Sequence, residues 1–108
     1  MSERAERVAR NEATSRELNE KIEQAHPRSP DEYFRIVCEC GRGDCTRLIA
    51  ISVPEYEAVR SDSRHFVVLR AHVLPDVEAV VQETDRYTVV SKHEGTPAEI
   101  VREEDPRS

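Results

Sequence analysis

The spacing of apolar positions changes near residue 33. Residues 2–25, SERAERVARNEATSRELNEKIEQA, hold no Gly or Pro and many strong helix formers, and HPRSP follows as a stop. This composition predicts one helix of about six turns. Its apolar positions Ala5, Val8, Leu18, Ile22 and Ala25 fall near one stripe, which Asn11 and Ser15 interrupt. So thin a stripe predicts weak packing on the helix's own domain. That leaves either a solvated helix held by Glu pairs with Lys or Arg, or an arm for dimerisation or partner docking.

From Tyr33 onward the runs are short and β-rich. YFRIVCEC and RLIAISV read as two strands of a hairpin whose turn is a cysteine loop. Ser52 and Glu55 form a Ser-x-x-Glu capping pattern, with Ile51 and Tyr56 at the two positions of a hydrophobic staple. A helix therefore begins after Ser52, buries Tyr56 and Val59, and ends at SDS, residues 61–63. HFVVLRAH reads as a strand broken by LPD. VEAVVQE and YTVVSKH follow as two strands joined by a tight turn around Thr84 to Arg86, a short helix over 76–83 being the alternative. The acidic end TPAEIVREEDPRS reads as a fraying tail.

Charge narrows the function classes. The 108 residues carry 16 basic and 22 acidic groups, a net charge of −6, and only 37 % are hydrophobic. A modest core of this kind often needs a staple. The excess of acid lies in residues 71–108 and argues against nonspecific binding to DNA or anionic membranes. No apolar run suits a signal peptide or a membrane span, so a soluble, cytoplasmic protein is expected. Three cysteines fit poorly with paired disulfides. In a reducing compartment they read first as metal ligands or redox groups.

All three lie in CECGRGDC, residues 38–45. In a strand Cys38 and Cys40 leave from one face with Cα atoms about 6.6 Å apart, near the upper limit for a disulfide. Two thiolates sharing Zn2+ are easier, because each Zn–S bond of about 2.3 Å adds reach. Gly41 and Gly43 let the chain turn and return Cys45 to the same point. A fourth ligand comes from His26, His65, His72 or His93. His72 ranks first, at the end of a strand beside the hairpin, and His65 second. Glu39 reads as a solvent-facing residue between two inward cysteines, and the Arg-Gly-Asp tripeptide as a turn rather than an adhesion signal.

The succession RNE…RELNEKIE, CEC with a third Cys five residues on, EYEAVR, a His before LPDVEAVV, and YTVVSK resembles an uncharacterised family of small actinobacterial-type proteins. Its C-x-C-x4-C…His pattern implies a Cys3His metal site on Cys38, Cys40, Cys45 and His72. The resemblance implies no activity.

The fold expected is α+β: a long N-terminal helix (1–26), then a small antiparallel β-domain (27–95) with a zinc-knuckle hairpin and one short helix, then a flexible acidic tail (96–108). No hydrolase elbow, metalloprotease helix, phosphate loop or deaminase signature is present, so no catalytic residue is assigned. The function expected is a non-enzymatic zinc-binding adaptor or regulator. Its helix would meet a protein partner or a second copy through Val8, Leu18 and Ile22. Nucleic-acid binding is the alternative, with Arg35, Arg42, Arg47, Arg60, Arg64 and Arg70 near the knuckle and Tyr33, Phe34 and Phe66 to stack on bases. A thiol-redox or metal-dependent enzyme is a further one.

Overall fold

The computed structural model describes residues 3–26 and 32–107. In chain order they form α1 (Glu3–Ala25), β1 (Tyr33–Val37), β2 (Leu48–Ser52), α2 (Val53–Arg60), β3 (His65–Val68), a 3-10 turn (Arg70–His72), β4 (Glu78–Glu83), β5 (Thr88–Lys92) and α3 (Thr96–Glu103). The class is α+β, as expected. Of the helix stop HPRSP, the residues after His26 lie outside the described residues.

Two antiparallel sheets share one core. β1 and β2 pair as a hairpin with Val37 opposite Leu48, and β5 lies between β3 and β4. The β4 and β5 runs are strands, and Thr84 closes their turn by donating its N–H to the Tyr87 carbonyl at 2.8 Å. Ile36, Ile49, Ile51, Tyr56, Phe66 to Val68, Val89 and Val90 fill the space between the sheets and helices. The capping pattern is formed: Ser52 Oγ accepts from the Glu55 N–H at 3.3 Å, and Glu55 Oε1 accepts from the Ser52 N–H at 2.9 Å. Ile51 and Tyr56, the two staple positions, are buried.

The helix α1 packs far more closely than its apolar stripe predicts. Its buried face carries Ala5, Val8, Ala9 and Ala13, but also Glu12, Arg16, Asn19, Glu20 and Glu23. Each of these polar groups meets a partner from elsewhere in the fold, which offsets the cost of its desolvation. Asn19 donates to the Val37 carbonyl at 2.9 Å and accepts the Val37 N–H at 2.8 Å, so a side-chain amide completes the pairing of β1. The fully buried Arg16 donates to the Ser63 and Val101 carbonyls at 2.6 and 2.5 Å and stacks over Phe66. Lys92, fully buried on β5, is ion-paired with Glu12, and with Glu78 at 3.4 Å.

Residues 96–103, read as part of a fraying tail, are helical. α3 starts with Pro97 in its first turn and buries Pro97, Ala98, Ile100 and Val101, so its apolar residues gather on one side despite the acidic composition. Beyond it Arg107 pairs with Glu20 at 2.7 Å, Glu23 at 3.4 Å and Glu57 at 2.6 Å, tying the end of the chain to α1 and α2. Among the described residues there are thus two short α-helices where one was expected.

Candidate metal centre

β1 ends at Val37, three residues short of the strand expected from YFRIVCEC. Cys38 makes the last hairpin bond, donating its N–H to the Arg47 carbonyl at 2.9 Å. The chain then crosses to the other sheet, where the Glu39 N–H donates to the Val67 carbonyl at 2.8 Å. Extended backbone keeps the alternation of side chains across this crossing, so Cys38 and Cys40 share a face. Glu39 does point away from them, but not to solvent. Its side chain is fully buried and accepts from Val67 N–H at 3.0 Å, Arg60 Nη2 at 3.3 Å and Asn19 Nδ2 at 2.8 Å. Both faces of the crossing segment are interior: one holds sulfur, the other this polar network.

Gly41 reverses the chain after Cys40. Its φ of +78° lies in the left-handed region that a side chain disfavours, and a Cβ there would stand 2.6 Å from Val8 Cγ1. The helix therefore rests directly on the knuckle's backbone. Asn11 Nδ2 donates to the Gly41 carbonyl at 2.9 Å, so a residue that interrupts the apolar stripe is a brace for the loop. A turn closed by Cys45 N–H to the Arg42 carbonyl, at 3.2 Å, brings the third cysteine back.

The fourth group arrives from β3. That strand stops at Val68, before the end expected for HFVVLRAH, and the Leu69 N–H points at Cys38 Sγ from 3.3 Å. The 3-10 turn, closed by His72 N–H to the Leu69 carbonyl at 2.8 Å, then places His72 Nδ1 3.5 Å from Cys38 Sγ and 3.7 Å from Cys45 Sγ. One donor atom each from Cys38, Cys40, Cys45 and His72 lies within 4.8 Å of every other. His65 is not in this cluster; its Nε2 faces Asp62 at 3.5 Å.

These distances suit one ion. Tetrahedral ligands with bonds of about 2.3 Å to sulfur and 2.0 Å to nitrogen stand about 3.5–3.8 Å apart. The two sulfur–nitrogen separations fall in that range. The sulfurs are also prepared for negative charge. A hydrogen bond from the Cys38 thiol, with help from the Arg42 N–H, Cys45 and His72, brings the Cys40 thiol down to about 5. The same bond, and then burial, pushes Cys38 up. Two adjacent buried thiols thus give up one proton readily and hold the second, unless a cation supplies the missing charge. These four residues could hold a metal ion.

Cys38 and Cys40 are buried, while Cys45 and His72 are half-exposed. The latter two line a cleft of about 250 Å3 with Arg42, Asp44, Thr46 and Arg47. Of the residues expected to meet a partner, Val8 is buried under the knuckle, Ile22 is half-buried against the core and Leu18 is exposed. Of those expected to stack on bases, Phe34 and Phe66 are core residues; Tyr33 is exposed, with Arg86 over its ring at 4.4 Å. Arg60 is buried against Glu39.

Glu39, Asn11 and Asn19, which position the knuckle, were not singled out as site residues by sequence reasoning. A signal existed: Asn11, Ser15 and Asn19 recur every fourth residue, as do Glu12 and Arg16, on the flank of Ala5, Val8 and Ala9. No helix among the described residues is long and apolar enough to cross a membrane. Comparison with family models, curated proteins and solved structures finds no match to this chain.

Proposed function

We propose that this chain is a non-enzymatic, cytoplasmic zinc protein in which Zn2+ on Cys38, Cys40, Cys45 and His72 staples the β1–β2 loop to the 3-10 turn, and that the domain serves as a protein-interaction adaptor or regulator. The observation that carries the metal reading is the convergence of four soft and borderline donors within 4.8 Å of one another, with two sulfur–nitrogen separations at tetrahedral spacing. Three thiolates and one imidazole favour zinc over hard cations. They also fill its four positions, leaving none for a substrate or water, which supports a structural role. Free thiols at Cys38, Cys40 and Cys45 suit a reducing compartment.

The adaptor reading rests on the outward face of α1, where Leu18 is exposed among Glu17, Lys21 and Thr14. A helix face of this kind suits a protein partner or a second copy. Nucleic-acid binding is less supported, because its stacking residues Phe34 and Phe66 serve the core.

Metal content by native and denaturing mass spectrometry tests the centre. One zinc per chain is expected in the parent, with loss in both Cys45→Ser and His72→Ala. A metal-free protein whose stability a chelator leaves unchanged overturns it. Leu18→Glu tests the partner face: it should abolish self-association or partner capture while leaving zinc content unchanged. Binding to mixed DNA or RNA at low salt that weakens steeply with salt would favour the nucleic-acid reading instead.

A further inference from the structure

The four donor groups are not equally shielded. Cys38 and Cys40 are sealed in the core, whereas Cys45 is half-exposed and lines a cleft with Arg42, Asp44 and Arg47. An oxidant entering from solvent therefore meets one sulfur first.

A second sulfur stands ready. The sulfurs of Cys45 and Cys40 lie within 4.8 Å of each other, and the residues between them are Gly41, Arg42, Gly43 and Asp44. Arg42, Gly43 and Asp44 are exposed, so the turn leading to Cys45 lies outside the core. Cys38 is more tightly fixed, at the last hairpin rung with the Leu69 N–H on its sulfur.

Building on the zinc reading above, we infer that Cys45 is the site at which hydrogen peroxide modifies the metal centre, and that a Cys40–Cys45 disulfide then forms and expels the ion. In the first step the Cys45 thiolate attacks one peroxide oxygen. The O–O bond breaks, Cys45 becomes a sulfenic acid, and hydroxide leaves. In the second, the Cys40 thiolate attacks that sulfur, the S–O bond breaks, and a second hydroxide leaves as the S–S bond forms. The two sulfurs lose two electrons, hydrogen peroxide gains them, and protons from the buffer neutralise both hydroxides. Zn2+ is left with Cys38 and His72, too few ligands to retain it.

The test uses the full chain loaded with zinc. Metal content is recorded first, then hydrogen peroxide is added with a colorimetric zinc chelator, and the products are mapped by peptide mass spectrometry. About one zinc should be released for each disulfide formed, with Cys40 joined to Cys45, Cys38 still a free thiol, and full reversal by dithiothreitol and fresh zinc. Maleimide labelling of the untreated zinc protein should modify Cys45 before Cys38 and Cys40. A zinc-loaded protein that keeps its metal in peroxide, or whose disulfide contains Cys38, or whose buried cysteines label first, overturns this inference alone. A preparation without metal at the outset overturns the zinc reading and this inference with it.

Discussion

Glu39 and Val67 are bonded to each other twice: the Glu39 N–H donates to the Val67 carbonyl at 2.8 Å, and the Val67 N–H donates to Glu39 Oε1 at 3.0 Å. This pair of hydrogen bonds ties a knuckle residue to β3, the first strand of the second sheet. It holds Cys38 and Cys40 to one side and brings the end of β3, with His72 beyond it, to the same side.

Removing the Glu39 carboxylate leaves Arg60 buried with one counter-charge fewer and the Val67 N–H without its acceptor. Glu39→Ala is expected to cost about 3–5 kcal/mol, the range for breaking a buried ion pair from one side. Glu39→Gln retains an acceptor and should cost less. Urea midpoints of the zinc-loaded proteins measure both, and equal midpoints for the parent and Glu39→Ala would contradict the role given to the network.

Gly41→Ala meets two obstacles that can be separated. A left-handed φ costs an alanine about 1–2 kcal/mol, and its Cβ would collide with Val8 Cγ1. Val8→Ala removes the collision only. The double variant should therefore lose less stability than the sum of the two single variants, with a coupling of about 0.5–3 kcal/mol. Strict additivity would mean that α1 does not bear on the knuckle.

Burial, reinforced by the adjacent Glu78, holds the Glu12 carboxyl well above its ordinary value of 4.5, with Lys92 opposing. The folded protein thus binds this proton more tightly than the unfolded chain. Its contribution to stability is complete below about 4.5 and is lost as pH rises through the elevated folded value. Glu12→Gln cannot titrate. The stability difference between Glu12→Gln and the parent should shift in favour of glutamine as pH rises from 4.5 toward neutrality, and a pH-independent difference would refute the assignment.

Glu55 shows the opposite sign. A bidentate pair with Arg86, at 2.6 and 3.1 Å, lowers its carboxyl to about 2 against the cost of burial, with the Ser52 N–H assisting. Its stabilisation is present above about 4.5 and is lost as pH falls through about 2. Glu55→Gln should therefore be less stable than the parent at neutral pH and converge with it in strong acid. Thermal unfolding across that range reads the convergence directly.

Much of the local architecture was legible from neighbouring residues. Ser52, Glu55, Ile51 and Tyr56 mark the start of α2 because a cap and a staple are made within one turn of chain. The two sides of the cysteine loop read as a hairpin for the same reason, and His72 was placed before His65 from its position beside LPD. The C-terminal helix was missed because its signal, four apolar residues among acids, is short, and its stability comes from packing on α1. The buried side of α1 was misjudged because Glu12, Arg16 and Asn19 look solvated until their partners Lys92, Val101 and Val37 are known, and those lie far away in sequence.

By itself the sequence determined the elements whose causes are local: a helix free of Gly and Pro, a capped second helix, β-branched strands, and a glycine turn that gathers three sulfurs. Tertiary structure alone decided where the charges go. A charged side chain is tolerated in an interior only when a partner waits there. Such partners come from any part of the chain, so Glu39 lies in the core beneath the metal ligands rather than in water.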